Sequence, residues 1–421
     1  MTRWTRRDLG KLAGAAAFAG IAAPAIAAAS ARVVVIGGGP AGATVARYLA
    51  QAPSRLQVTL VEAESRYHTC FFGNLYLSGL RSFDSLGHGY ETLQGKHGVT
   101  IVHDTVAAID STAKQVRLAG GGSLAYDRLV VAPGIAFRWD AIEGLDEVAS
   151  EMLPHAWRGG AQMQLLRQQL EAMADGGLFL MSVPPDPLRC PPGPYERVSL
   201  VACYFKREKP KSKILVLDSK NSFPKQELFQ DAWNRLYPGM VEWLPLDFHG
   251  GVKSVDPGAR TVTIANDTFK CAVANIIPPQ SAGSIALATG LANDKGWCPV
   301  DPATLESKLV PGVHVVGDAI IPGEMPKSAF AANSQAKVCA MAVAALLDGR
   351  DPFEARFFNT CWSFLGPDDA VKIGASYRIV EGKITAVEKF ISKVGETAEA
   401  RETAARQAEA WYAAIGADAF G

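Results

Sequence analysis

Val33-Val34-Val35-Ile36-Gly37-Gly38-Gly39-Pro40-Ala41-Gly42 is an apolar strand that runs straight into a glycine turn. Four β-forming residues precede the turn, Gly37, Gly39 and Gly42 give it the G-x-G-x-x-G spacing, and the helical stretch Ala43 to Ala50 follows. Glycine is required because the backbone must turn tightly and let phosphate oxygens reach the helix N-terminus, where unpaired N–H groups and the helix dipole favour anions. Pro40 and Ala41 fall between the last two of those glycines, at the mouth of the helix. A second strand, Gln57 to Val61, ends at Glu62, whose carboxylate is placed to accept hydrogen bonds from ribose hydroxyls. A lone glycine fingerprint is a weak signal; strand, turn, helix and acidic residue in register predict a dinucleotide-binding unit.

The residues before that strand carry an address. Thr5-Arg6-Arg7-Asp8-Leu9-Gly10-Lys11 leads into an alanine-rich apolar run from Leu12 to about Ala29, with small-residue cleavage candidates around Ala25-Ile26-Ala27. This reads as a twin-arginine export signal and places the mature chain in the periplasm. A membrane anchor is the competing reading, since the run approaches the roughly 20 residues that span a bilayer; its Ala and Gly content argues against it. No comparable apolar run is evident later, so no stable membrane insertion of the mature chain is expected. The 42 basic and 42 acidic residues among 421 balance, which leaves nucleic-acid or broad membrane-surface binding without electrostatic support. An exported chain meets oxidising conditions in which its seven cysteines can pair, and the odd number leaves at least one over. None has metal-ligand spacing with histidine and no C-x-x-C-H occurs, so neither a metal nor an attached haem is expected.

Two later segments extend the dinucleotide pattern. Tyr126-Asp127-Arg128-Leu129-Val130-Val131-Ala132-Pro133-Gly134 is a buried-looking strand ending in a turn, and Pro311-Gly312-Val313-His314-Val315-Val316-Gly317-Asp318-Ala319 is another, ending in Gly-Asp. Asp318 is placed to bind the ribityl hydroxyls or the pyrophosphate region of a flavin dinucleotide. A helix starting near Ser328 can aim its positive end at the flavin ring and stabilise the anionic reduced form. In this order the segments resemble the two-dinucleotide-domain flavoproteins of the pyridine nucleotide–disulfide oxidoreductase superfamily. The resemblance implies an α/β fold with two Rossmann-like domains, the first discontinuous and binding FAD. The second domain should carry a nicotinamide site, and here the sequence departs. Strand Leu178 to Met181 is followed by Ser182-Val183-Pro184-Pro185-Asp186-Pro187-Leu188-Arg189-Cys190-Pro191-Pro192-Gly193-Pro194-Tyr195-Glu196-Arg197. Prolines lack N–H donors and restrict φ, so this loop cannot form the usual phosphate nest. NAD(P)H is therefore disfavoured as electron donor, although strand Lys213 to Leu217, ending at Asp218, keeps the βαβ pattern.

Arg189-Cys190-Pro191-Pro192-Gly193-Pro194-Tyr195-Glu196-Arg197, Tyr67-His68-Thr69-Cys70, Gly296-Trp297-Cys298-Pro299-Val300-Asp301, Met325-Pro326-Lys327-Ser328 and Asn359-Thr360-Cys361-Trp362-Ser363 resemble the flavoprotein subunit of flavocytochrome c sulfide dehydrogenase. That resemblance implies one cysteine bonded covalently to the flavin 8α carbon and two more forming a redox disulfide beside the ring. Cys70, eight residues after Glu62, maps to the covalent link; Cys190 and Cys361 map to the disulfide. The plain alternatives are a buried cysteine and a structural staple. Flanking Pro and Trp in loops favour the redox role on grounds of exposure and reactivity. Cys203, Cys271 and Cys339 read as core, and Cys298 is ambiguous because it lies near the expected flavin site. The implied chemistry is attack of hydrosulfide on one sulfur of the pair, giving a persulfide and a thiolate that reduces the flavin. In it Lys327 draws in the anion and Glu196 manages protons, the plain alternative for both being a solvated charge or salt bridge. Electrons then leave singly to another chain, a c-type cytochrome subunit or a soluble cytochrome c.

The expected organisation is a signal over 1–30, a flavin domain over 31–145 and 285–350, an inserted Rossmann-like domain over 146–284 and a C-terminal α+β interface domain over 351–421. In the last, Phe364 to Lys393 alternates like strands and Glu396 to Ala414 reads as a charged helix. Sulfide:quinone oxidoreductase is the nearest alternative; it needs an apolar membrane-facing surface, which a helix carrying Glu396, Glu399, Arg401, Glu402 and Arg406 does not supply. A flavin-bearing binding protein without turnover, with Cys190–Cys361 as a staple only, and an NADH-dependent reductase are the others.

Overall fold

Val33, Val34, Val35 and Ile36 are buried on both faces of their strand, the pattern of a central strand in a parallel sheet. The computed structural model describes residues 30–421, so the twin-arginine segment lies outside the described residues. In it Arg32–Ile36 is the middle strand of five, in the order Val313–Val315, Arg128–Val131, Arg32–Ile36, Gln57–Val61, Thr100–Val102, all parallel. Ile36 pairs with both Val61 and Val131, so three strands end at one level and release Gly37, Glu62 and Ala132 along a common carboxyl edge. Val313–Val315 returns from a distant part of the chain beside Leu129–Val131 and brings Gly317 and Asp318 to the same edge. Ligands of open parallel sheets bind outside this edge.

Helix Pro40–Ala50 begins at once, with Gly39 as N-cap and no side-chain cap, so its first N–H groups stay free. Its small residues pack against helix Ala329–Leu347. That second helix overturns one expectation: with a mean hydropathy of 1.3 it is long and apolar enough to cross a membrane. It is instead a core helix, 67% buried between Pro40–Ala50 and strand Arg356–Gly366.

A second parallel sheet runs Val241–Leu244, Lys213–Asp218, Leu178–Val183, Val273–Ile276. The proline-rich loop leaves it after Val183 and enters helix Gly193–Glu208. At the end of Lys213–Asp218, where such folds present a carboxylate to ribose, Asp218 is fully buried. It accepts hydrogen bonds from Tyr195 Oη at 2.5 Å, Trp243 Nε1 at 3.0 Å and Lys220 Nζ at 2.8 Å. Phe223 stacks on Tyr195 with ring centroids 3.6 Å apart. These side chains form a buried polar and aromatic cluster at the end of the strand.

Antiparallel strands Arg356–Gly366, Asp369–Val380 and Lys383–Ile391 follow, then helix Ala398–Phe420. The first strand starts earlier than Phe364, and the helix runs past Ala414. Asn359-Thr360-Cys361-Trp362 is therefore strand rather than loop. The strand is hard to read because its pattern is partly inverted: Asn359 and Ser363 are buried while Phe358 is exposed. The final helix turns Ala405, Ala408, Tyr412, Ile415 and Phe420 inward and packs on Asp369–Val380 and on Pro40–Ala50. From Ala31 onward the chain is one compact unit.

Candidate functional site

A cavity of about 840 Å³ opens at the carboxyl edge of the first sheet, and Gly37, Gly39, Pro40, Ala41, Gly42, Glu62, Cys70, Cys190, Glu196, Asp318, Ser328 and Cys361 all line it. Lys327 alone of the residues anticipated from sequence is not in its wall. The nucleotide end is a glycine cradle. Gly37 has φ +94°, and a Cβ on Gly42 would stand 1.8 Å from the Gly37 carbonyl oxygen, so no side chain fits there. Glu62 accepts from Gly38 N at 2.6 Å and from Glu64 N at 3.0 Å, which fixes its carboxylate and leaves lone pairs for hydroxyl donors.

Asp318 stands further along the wall, in the turn after Val313–Val315. Burial pushes its carboxyl above the usual range against the pull of Arg189 and Lys327. Its Oδ1 is buried with no hydrogen-bond partner, and Oδ2 is 3.9 Å from Arg189 Nη1. An orphaned buried carboxylate oxygen calls for a donor the protein does not provide. Ser328 caps helix Ala329–Leu347 by accepting from Ala331 N at 3.1 Å and donates to Asn359 Oδ1 at 2.6 Å. Two helix N-termini, a side-chain-free cradle and an unsatisfied acceptor fit the pyrophosphate and polyhydroxyl chain of a flavin dinucleotide, and the volume is that of a ligand pocket.

The other end carries sulfur. Cys70, Cys190 and Cys361 all border the cavity and are free thiols, so the Cys190–Cys361 bond implied by the resemblance is not formed in this structure. Cys190 sits at φ +55°, donates its N–H to Lys327 O at 2.7 Å and accepts from Gly193 N at 2.8 Å. A Cβ on Gly193 would lie 2.9 Å from Cys190 Sγ, so that glycine makes room for the thiol. Phe72 and Ala156, also in the wall, have positive φ too. Left-handed non-glycine residues gathered at one cavity are a mark of a functional site. Burial pushes the Cys190 thiol well up, helped by Cys361, Glu196 and Cys70 and opposed by Lys225. Asn359 Nδ2 lies 3.5 Å from Cys361 Sγ on the same face of the strand. Glu196 accepts from Asn74 Nδ2 and Phe364 N, both at 2.9 Å, and burial raises its carboxyl above the ordinary value despite those bonds.

The cations are arranged differently from the sequence reading. Lys327 Nζ donates to Asp318 O at 2.7 Å and Ile320 O at 2.6 Å and lies 3.7 Å from the Trp297 ring centroid. Burial brings its pKa down to about 8. Its ammonium is committed to holding the Asp318 turn. Lys225, which sequence reasoning missed, donates to Ser363 Oγ at 2.6 Å and approaches Cys361 O at 3.4 Å instead; burial lowers its pKa, and Cys361, Glu196 and Cys190 raise it. Arg197, 1% exposed, ties Asn74, His155, Ala156 and Asn275 together. The aromatic wall of Phe330, Trp362 and Trp411 was missed as well, with Trp411 stacked 6.0 Å from Phe330 and 5.6 Å from Trp362. The positive φ of Lys225 and the inward face of the last helix are set by tertiary packing, so nothing local announced them. Cys298 is resolved as core: it is fully buried, bridges to Ile320 through its backbone, and its thiol is pushed up to about 12.

Comparison with known proteins covers most of the described chain. Residues 31–170 match the pyridine nucleotide-disulphide oxidoreductase family. Residues 163–278 match the central region of the sulfide dehydrogenase (flavocytochrome c) flavoprotein chain, and residues 353–420 match the flavocytochrome c sulphide dehydrogenase flavin-binding region. The sulfide dehydrogenase (flavocytochrome c) flavoprotein chain of Chlorobaculum thiosulfatiphilum is 49% identical over 43 residues, 10% of this chain and 90% of that one. Mitochondrial sulfide:quinone oxidoreductase of Mus musculus is 23% identical over 315 residues, 72% of this chain and 68% of the relative. In fold, the sulfide:quinone oxidoreductase of Aquifex aeolicus superposes with a TM-score of 0.73 at 17% identity, covering 92% of both chains. With a cavity bordered by a glycine cradle and three cysteines, and with these three matches over residues 31–278 and 353–420, the chain belongs to the sulfide-oxidising flavocytochrome c sulfide dehydrogenase flavoprotein family of the pyridine nucleotide–disulfide oxidoreductases.

Proposed function

We propose that this chain is a periplasmic FAD-dependent sulfide dehydrogenase that oxidises hydrosulfide through Cys190 and Cys361 and passes electrons singly to a c-type cytochrome. One observation carries the reading: the glycine cradle, the unsatisfied Asp318 and the thiols of Cys190 and Cys361 border the same cavity. Oxidised as a disulfide, the pair is open to attack by hydrosulfide. A new S–S bond forms to one cysteine, the old S–S bond breaks, and the second cysteine leaves as a thiolate. Bound FAD supplies the acceptor that takes an electron pair and returns it one electron at a time. Glu196, whose carboxyl burial raises above the ordinary value, is the group in the wall fitted to exchange a proton with the sulfur. Arg189 and Asp318 anchor the cofactor side, and the aromatic wall of Phe330, Trp362 and Trp411 keeps bulk water from it. Cys70 is the residue proposed to bond the flavin. The export reading of Thr5-Arg6-Arg7 supports the compartment, and replacing both arginines by lysine should strand the flavoprotein in the cytoplasm.

The test is an anaerobic titration of the holoprotein with sulfide, and separately with NADH, following flavin absorbance with oxidised cytochrome c present. Sulfide should bleach the flavin and reduce the cytochrome. Cys190→Ser and Cys361→Ser should each lose sulfide bleaching while dithionite still works, and Cys70→Ser should release flavin on acid precipitation. Bleaching by NADH with indifference to sulfide would sink the assignment. A quinone analogue accepting electrons where cytochrome does not would redirect it to a sulfide:quinone oxidoreductase, the activity named for the mouse relative.

A further inference from the structure

Lys225 is buried, 6% exposed, on a backbone held at φ +64° just ahead of helix Gln226–Leu236. Its Nζ donates to Ser363 Oγ at 2.6 Å and approaches Cys361 O at 3.4 Å. Ser363 and Cys361 share one face of strand Arg356–Gly366, so these contacts hold the ammonium along the strand that carries Cys361. Asn359 Nδ2 stands 3.5 Å from Cys361 Sγ, one residue pair back along the same face. Among the described residues Lys225 makes no ion pair with a carboxylate within 4.0 Å. A buried ammonium with neutral partners only is costly, and the cost falls when an anion forms beside it.

We infer that Lys225, from behind the strand that carries Cys361, holds the negative charge that arises at the Cys190/Cys361 pair and stabilises the thiolate released. The inference rests on the sulfide dehydrogenase reading. In the attack step hydrosulfide brings one negative charge, one S–S bond forms as another breaks, and the charge ends on the departing cysteine sulfur. Lys225 acts as a positioning charge and not as an acid; burial lowers its pKa, and the charges of Cys361, Glu196 and Cys190 work the other way. Lys327, the cation that sequence reasoning placed at the pair, has its donors engaged by the carbonyls of Asp318 and Ile320. The other charged or titratable groups facing the pair are Glu196 and Cys70, Arg189 and Arg197 on the Cys190 side, and Tyr377 beside Cys361. Glu196 and Cys70 push the Cys190 thiol up, and Lys225 opposes them.

The measurement is the pH dependence of iodoacetamide alkylation of Cys190 and Cys361, read by peptide mass spectrometry on dithiothreitol-reduced holoprotein. Lys225→Met should move the alkylation midpoint of the pair upward by about one pH unit or more. It should also slow flavin reduction by sulfide about tenfold at neutral pH. Lys225→Arg should restore most of both, which a merely structural role would not predict. Ser363→Ala, which keeps the cation and removes its 2.6 Å anchor, should shift the midpoint less and in the same direction. It decides the matter if Lys225→Met does not fold. An unchanged midpoint in folded Lys225→Met, or in Ser363→Ala should that be the variant that folds, overturns the inference. The alkylation arm needs no sulfide, so it stands or falls separately from the sulfide titration of the wild type.

Discussion

His155 is a neutral imidazole kept neutral by its surroundings. Burial, followed by Arg158, Arg197 and Arg189, brings its pKa down to about 3, and Trp157 N donates to its Nδ1 at 2.9 Å. The unfolded chain binds a proton there near the ordinary value of 6.5. Between these values the unfolded state carries more protons, so this contribution to stability is fully present above pH 6.5 and is lost as pH falls toward 3. Urea denaturation should record a loss of roughly 1.4 kcal/mol per pH unit across that window from this group alone. His155→Gln should flatten it; an equal slope in the variant would assign the acid sensitivity elsewhere.

Among the elements, strand Lys213–Asp218 ends in a buried carboxylate that three side chains share. Asp218→Ala would leave Tyr195 Oη, Trp243 Nε1 and Lys220 Nζ without their shared acceptor. The expected cost is about 3 kcal/mol in chemical denaturation. The proline loop was legible in the sequence as a departure from a nucleotide fingerprint, since a residue without an N–H cannot build a phosphate nest. The glycine cradle, Glu62, Asp318 and the Ser328 cap were legible for a related reason: each answers a local backbone requirement. Strand Arg356–Gly366 was not, because it buries Asn359 and Ser363 while exposing Phe358, against the alternation that reveals strands. Helix Ala329–Leu347 was passed over as an apolar run because alanine spreads its hydrophobicity thinly around the helix, and only its neighbours make it core. Lys327 misled because its ammonium found backbone carbonyls, partners that no sequence pattern displays.

At the scale of the whole molecule the cavity is a joint product of all its layers, and the final helix closes it. Trp411 bridges Phe330 and Trp362 in that wall. Trp411→Ala should cost about 2 kcal/mol of stability from the lost stacking pairs and buried area. It should also make bound flavin measurably more open to iodide quenching; quenching at the wild-type level would mean that the helix plays no part in shielding the ring. The glycine cradle, by contrast, draws on residues up to Ala132, yet its opposite walls come from Asp318, Cys361 and Trp411, far later in the chain. A nascent polypeptide emerging from the ribosome therefore exposes a phosphate-binding turn long before it owns a vessel to keep the cofactor in. Capture of the cofactor has to wait for the last helix to dock, which makes it a step of maturation and not of synthesis, and chains stalled before Trp411 should be released empty.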